Sequence, residues 1–424
     1  MKSQTTKDSL DDNRIREIIK EMCKKIEEYY VFPEIAEKIS HFLLNKLEEG
    51  LYNGIIDPVN FERVISNDMV KVSNDLHFYF EYDPSMAQIL LQKGDDEKEE
   101  SEDEFLEFKS HLKYEQYKNF HIIKAERLPG NIGYIKLNDF PPAEYAGDAI
   151  VGALQFLGNS NAFIFDIRNN GGGYPSMVAL IISYFMAPDT KLLTSIYERK
   201  KDEYFQSLTL PYLPGKRFPE TPIYVLISPR TASGAEEFAY NLKMMKRATL
   251  VGETTRGAAN PVDIFPILDK FVIWLPIGRP INPISKDNWE GKGVSPHIKI
   301  SQEDALEKAH MLALQNLVKK ETDEEIKKML EFEFEYSETK YNQIKIDLKA
   351  LQDYQGQYER YKIFIQDNQL YYERSNLKFP IITKDNKTFF ADETLKLWFE
   401  EENKEKVLVL ERRDFPNLLR LEKK

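Results

Sequence analysis

The sequence predicts an α/β protein with a helical front and a small antiparallel β tail. Three observations carry this reading. Apolar residues recur at helical spacing near the start, short apolar strands alternate with helical patterns from Gly130 to about Ile300, and short alternating strands follow Leu351. At roughly 100–200 residues per domain, 424 residues suggest two to four domains. The expected division is a helical N-terminal domain over 1–75, an α/β core over 76–335 and a small β-rich domain over 336–424.

The elements follow in chain order. Ile15, Ile18, Ile19, Met22, Ile26 and Tyr29 fall on one helical face. Pro33 breaks the pattern into two helices ending near Gly50, and Asn60 to Val72 continues helically. Leu76 to Tyr82 reads as a strand with His77 near its start. The acidic run near 94–104 reads as a solvated loop, because like charges repel and cannot pack. Strands are expected at Ile132–Leu137, Ala162–Ile167, Ile223–Ile227, Thr249–Val251 and Phe271–Leu275. Helices are expected at Tyr145–Leu157, Pro175–Met186 and Ser233–Met245. Strand, helix, strand at this spacing implies a layer of mainly parallel strands, whose sites collect at the strands' carboxyl ends. Glu303 to Phe334 is helical, with Leu306, Ala309, Ala313 and Leu317 as core. Strands at Tyr361–Gln366, Gln369–Glu373, Thr388–Phe390, Leu397–Glu400 and Val407–Glu411 make the tail antiparallel β.

Composition excludes several function classes. A net charge of −12 repels phosphates, so no nucleic-acid partner is expected. The one cysteine, Cys23, cannot form an intramolecular disulfide and reads as a packing residue. No segment has the ~20 apolar residues that span a bilayer, so no membrane span is expected. Met1 to Asp12 lacks the apolar stretch of a secretory signal, so the chain as written reads as cytoplasmic, with export of a longer precursor left open. His41, His111, His121, His297 and His310 show no zinc-ligand spacing, and neither a metal nor an organic cofactor is expected.

Two motifs could carry chemistry. In Asp166-Ile167-Arg168-Asn169-Asn170-Gly171-Gly172-Gly173 a buried strand runs into three glycines before a helix. Glycine lets the backbone approach a ligand, and N–H groups at a helix start suit an oxyanion hole. The run lacks the lysine of a phosphate-binding loop. In Thr231-Ala232-Ser233-Gly234-Ala235-Glu236-Glu237 a serine stands between a strand and a helix, where it is either an N-cap or a nucleophile.

These two motifs, followed by Gly252-Glu253-Thr254-Thr255-Arg256-Gly257 and then Trp289-Glu290-Gly291-Lys292-Gly293, resemble in order and spacing the superfamily of C-terminal-processing peptidases, the tricorn protease core and the interphotoreceptor retinoid-binding protein. The resemblance covers roughly Ile15 to Ile300 and is nearest the bacterial branch similar to the retinoid-binding protein. It implies a ClpP/crotonase-like core, with Ser233 as nucleophile and the N–H groups of Gly234 and of Gly172 or Gly173 as oxyanion hole. The lysine of the processing peptidases' Ser–Lys dyad is replaced by Ala258. The tricorn-type alternative is present: His77 matches the base and Glu290 its supporting glutamate. The serine that precedes the tricorn histidine is here Leu76, so Glu290 must reach His77 directly or through water, or Asp75 must help.

The implied function is a serine peptidase with a Ser–His–Glu site acting on peptides or unfolded polypeptides, with a homo-oligomer left open. With His77 as base, kcat/KM is expected to rise with a single acid limb around 6–7 and then level off. The rival is a non-catalytic protein on the same fold, binding a hydrophobic ligand or serving as a scaffold.

Overall fold

The computed structural model describes residues 9–73, 75, 77–93, 102–342, 344, 351–402 and 405–423. Asp11 caps α1 (Asp12–Tyr29) by accepting from the Arg14 N–H at 2.8 Å. Pro33 occupies the first turn of α2 (Pro33–Glu48), where its missing N–H costs nothing. α3 (Pro58–Ser73) completes the helical front. The apolar face read from the sequence, Ile15 to Tyr29, is buried throughout. Cys23 lies in that core, and burial pushes its thiol up to about 11.

The strand expected from Leu76 is shorter. β1 runs Tyr79–Tyr82, and His77 sits in the turn before it. The Asp75 carboxylate accepts the His77 N–H at 3.0 Å and holds the chain out of extended pairing there. α4 (Pro84–Lys93) and α5 (Glu102–Tyr117) follow. Most of the acidic loop expected near 94–104 lies outside the described residues, and its last three residues belong to α5 rather than to a loop.

The α/β part is built from β2 (Ile122–Leu128), β3 (Ile132–Leu137), α6 (Ala143–Phe156), β4 (Ala162–Asp166), α7 (Pro175–Tyr184), β5 (Leu192–Glu198) and β6 (Glu203–Leu208). It continues through β7 (Ile223–Ile227), α8 (Gly234–Met244), β8 (Ala248–Gly252), β9 (Val262–Ile267), β10 (Phe271–Pro276), β11 (Gly278–Ile281) and β12 (Ile298–Lys299). One six-stranded sheet has the order β12-β8-β7-β4-β3-β2, with β7, β8 and β12 parallel. β4 and β7 are buried at every residue, which is why their sequences are unbroken apolar runs. One expectation fails here. The strand predicted at Phe271–Leu275 does not join the parallel layer. As β10 it pairs antiparallel with β1 and β9, and its apolar face packs with the helical front. Apolar content alone does not say which sheet a strand joins.

Contacts along the chain define two compact units: Met1–Ala125 with Ile135–Gly158 and Phe165–Gln302, and Glu126–Tyr134 with Asn159–Ile164 and Glu303–Lys424. The second unit contains α9 (Ala305–Lys320) and α10 (Glu324–Tyr341), separated where Asp323 caps α10. Ala309 and Ala313 are buried as expected, whereas Leu306 and Leu317 are half-buried. Its strands are β13 (Gly356–Tyr358), β14 (Tyr361–Gln366), β15 (Gln369–Arg374), β16 (Leu377–Pro380), β17 (Ile382–Thr383), β18 (Thr388–Asp392), β19 (Leu395–Glu402), β20 (Glu405–Arg412) and β21 (Phe415–Glu422). They form antiparallel sheets of four and five strands that share one core. Among the described residues no helix is long and apolar enough to cross a membrane.

Phe80 of β1 is fully buried and stacks on Phe271 of β10 at 4.9 Å, tying the helical front to the strand that follows His77. Phe80→Ala should cost about 3–5 kcal/mol, read from urea unfolding midpoints. A loss under about 1 kcal/mol would show that this core does not hold β1.

Candidate active site

β4 and β7 are neighbours, and the loops leaving their carboxyl ends are stitched together. Ser228 Oγ donates to the Arg168 carbonyl at 2.5 Å, Thr231 Oγ1 to the Ile167 carbonyl at 2.9 Å, and the Ala232 N–H to the Asn170 carbonyl at 3.1 Å. These bonds bring the glycine run against Ser233.

Ser233 precedes the first residue of α8 and is half-buried. Its backbone has φ 51° and ψ −122°, a region that side-chain-bearing residues avoid. Its N–H donates to Glu236 Oε2 at 3.0 Å. Gly172 and Gly173 have φ 123° and 120°. A Cβ on Gly172 would stand 2.7 Å from Ser233 Cβ, and one on Gly173 would stand 2.1 Å from the Phe140 carbonyl oxygen. Only glycine fits at either place. The three glycines of the sequence reading are not equivalent. The Gly172 N–H donates to Asn170 Oδ1 at 2.9 Å. The N–H groups of Gly173 and Gly234 have no acceptor among the described residues. Gly234 opens an 11-residue helix, so its N–H lies at the positive end of the helix dipole.

The loop after β8 joins this shelf to the histidine. The buried Glu236 carboxylate accepts from the Ser233, Gly257 (2.7 Å) and Ala258 (2.8 Å) N–H groups and from the Thr255 hydroxyl. Burial raises its pKa, and these donors work the other way. Ala258 is itself buried, and its carbonyl accepts from Trp289 Nε1 at 3.1 Å. The next two N–H groups, of Ala259 and Asn260, donate to Glu290 Oε2 at 2.7 and 3.0 Å.

Glu290 Oε2 and Asp75 Oδ1 both stand 3.5 Å from His77 Nδ1. Asp75 also accepts from Tyr30 Oη at 3.2 Å and Asn260 Nδ2 at 3.1 Å. Burial works to lower the His77 pKa, but the carboxylates of Asp75 and Glu290 beside Nδ1 prevail and push it up to about 9. Burial likewise disfavours the Asp75 carboxylate, and the His77 and Asn260 hydrogen bonds overcome it and hold its pKa down. Asp75, His77 and Glu290 are the one group of three close potential metal donors among the described residues. Both Asp75 oxygens and Glu290 Oε2 already accept N–H or O–H donors of the protein, and the group is accounted for as an ion-pair cluster. No hydrogen bond joins His77 to Ser233 among the described residues. The geometry thus offers a strained serine with two open backbone donors and, in the turn before β1, an imidazole flanked by carboxylates.

Sequence reasoning gave no role to Glu236, Asn170, Asn260 or Tyr30. Glu236 had a signal, since Ser233-Gly234-Ala235-Glu236 has capping-box spacing. The others contribute single polar atoms from distant segments, which no local pattern announces.

Residues 131–300 match the family model described as "Peptidase family S41", and residues 12–120 match "N-terminal domain of Peptidase_S41 in eukaryotic IRBP". The carboxy-terminal processing protease CtpB of Bacillus subtilis (strain 168) is 30% identical over 179 residues, covering 41% of this chain and 35% of that protein. The carboxyl-terminal-processing protease of Synechocystis sp. (strain ATCC 27184 / PCC 6803 / Kazusa) is 31% identical over 144 residues, 33% of this chain and 32% of that protein. The chain therefore spans about a third of the length of these curated relatives. Among solved structures, the photosystem II D1 C-terminal processing protease aligns with a TM-score of 0.43 at 16% identity, over 68% of this chain and 93% of that one.

The raised His77 pKa has a consequence for stability. A histidine whose pKa is higher folded than unfolded stabilises the fold fully below its unfolded value of ~6.5, and the contribution is lost as pH rises through about 9. The gap in urea midpoint between wild type and His77→Ala should therefore be larger around pH 6 than around pH 10. A gap independent of pH would show that the imidazolium is not held by its neighbours.

Proposed function

We propose, from the premise that the chain belongs to peptidase family S41, that it hydrolyses peptide bonds through an acyl-enzyme formed on Ser233. The observation that carries this is Ser233 held at φ 51° beside the open N–H groups of Gly173 and Gly234. His77 Nε2 takes the Ser233 hydroxyl proton, and Oγ attacks the peptide carbonyl carbon. The carbonyl oxygen becomes an oxyanion and accepts from Gly173 and Gly234. Gly172 instead braces the turn through Asn170. The intermediate collapses as His77 returns the proton to the leaving amine, and water, activated by the same imidazole, releases the acyl group. Glu290 and Asp75 stabilise the imidazolium formed on the way.

Peptides and unfolded polypeptides are the proposed substrates, and likeness to the carboxy-terminal processing relatives favours segments near polypeptide C-termini. A Ser–Lys mechanism has no support at the family's lysine position, because Ala258 occupies it. The binding-protein reading draws on one observation, the missing hydrogen bond between His77 and Ser233. Catalytic hydrogen bonds are often long before substrate binds, so that gap does not outweigh the serine geometry.

A fluorophosphonate probe should label the wild type and leave Ser233→Ala unlabelled. Equal labelling of both would remove Ser233 from the mechanism, and labelling of neither would favour the binding protein. The acid limb of kcat/KM should stand well above the 6–7 of an unshifted histidine, towards about 9, because the base works only when deprotonated. His77→Ala should remove the limb and most turnover. A wild-type limb near 6 would contradict the ion-paired imidazole.

A further inference from the structure

Two carboxylates stand at equal distance from His77 Nδ1, 3.5 Å each, so distance does not say which one orients the ring. The count of lone pairs does. Glu290 Oε2, the oxygen that faces the imidazole, already accepts two backbone N–H groups, from Ala259 and Asn260. A carboxylate oxygen offers two good acceptor directions, so these are taken. Asp75 Oδ1 accepts one donor, the His77 N–H, and keeps an acceptor direction free 3.5 Å from Nδ1, a buried atom with no hydrogen-bond partner among the described residues. Its other oxygen is pinned from two sides, by Tyr30 Oη at the end of the first helix and by Asn260 Nδ2 from the loop after β8. Asp75 is 3% exposed, so water does not compete for that open position.

We infer that Asp75 is the positioning residue of the site, holding His77 in the tautomer with Nδ1–H and a free Nε2, and that Glu290 serves chiefly to fasten the 257–260 loop. The inference rests on the Ser233–His77 reading and deepens it. Asp75 and the backbone it grips are two residues apart, so the ring and its acceptor move together. Tyr30 extends the arrangement. Its hydroxyl meets Asp75 while its ring packs on Phe78 at 4.6 Å, so the residues on both sides of His77 are set by one aromatic side chain. Glu290 has the complementary geometry of a strap: its far oxygen has no partner, and its near oxygen closes on the loop whose preceding residues bind Glu236 beneath Ser233. The titratable groups facing His77 are Asp75 and Glu290, with Tyr30 behind Asp75.

The test separates orientation from charge. Removing either carboxylate takes a negative charge from His77, so Asp75→Asn and Glu290→Gln should both move the acid limb of kcat/KM towards neutral pH. Only Asp75→Asn should lower the high-pH plateau of kcat, by about a hundredfold or more with KM little changed, because the unpositioned ring populates the wrong tautomer. Glu290→Gln should keep its plateau within about tenfold of wild type. Tyr30→Phe, which deletes one oxygen, should lower kcat several-fold without moving KM, and it supplies the kinetic test if Asp75→Asn does not fold.

A readout independent of turnover uses the Ser233→Ala protein. The downfield proton resonance of His77 Nδ1–H should persist with Glu290→Gln and vanish with Asp75→Asn, or with Tyr30→Phe broaden or shift. A plateau in Asp75→Asn within a few-fold of wild type, or a resonance lost with Glu290→Gln and kept with Asp75→Asn, would overturn the assignment. If no variant or wild type turns over substrate while the resonance follows Asp75, the peptidase reading fails and the positioning of His77 by Asp75 stands.

Discussion

The site depends on one buried carboxylate that does no chemistry. Glu236 gathers four donors from Ser233 and from the loop after β8: the N–H groups of Ser233, Gly257 and Ala258 and the Thr255 hydroxyl. Hydrogen bonds to a charged acceptor contribute about 1.5–3 kcal/mol each, and losing the acceptor strands the donors at comparable cost. That makes the Ser233 backbone and the 255–258 segment one mechanical piece. The unfavourable torsions of Ser233 persist because its N–H is fixed on one side by Glu236 and its Cβ meets Gly172 on the other.

From that piece the chain of contacts runs outward. The residues after Ala258 reach Glu290 and Asp75, and through them His77. The helical front enters at this point. Its core carries Tyr30 and Phe78, and the antiparallel β1–β10 pairing fixes the residues just past His77. The front half of the sequence therefore supplies the imidazole, and the α/β layer supplies the serine and the two open N–H groups. The strand whose placement periodicity missed, β10, belongs with this front, since it pairs with β1 and shares the core of the first three helices.

The serine half of the site was legible in the sequence because it is made of local backbone. A buried strand, a turn with Thr231 and Ser233, a helix start and a glycine run each leave a pattern within ten residues or so. The fold class and most strands were legible for the same reason. The histidine half was not. His77 came forward only through resemblance, and its surroundings are single side-chain atoms: Tyr30 lies 45 residues from Asp75 and Asn260 lies 185 residues away. Spacing carries no trace of such partners, because any polar residue at those distances looks the same. Which of Gly172 and Gly173 keeps an open N–H was hidden at a finer level, since it turns on which N–H the Asn170 side chain occupies.

The same division bears on whether the site is catalytic or merely inherited. A carrier on this fold needs a pocket, not a serine in a costly conformation. Backbone strain of this kind costs of order 1–3 kcal/mol, and substitution by glycine would relieve it. Here the strain is kept, and kept beside two N–H groups that have no acceptor among the described residues. The adjoining imidazole is likewise flanked by two negative groups although one would suffice to pair its charge. The strained serine and the open donors each cost stability alone. Together they are what acyl transfer requires: a serine aimed by its backbone, donors waiting for an oxygen that becomes charged, and a base whose protonated form is stabilised before it is needed.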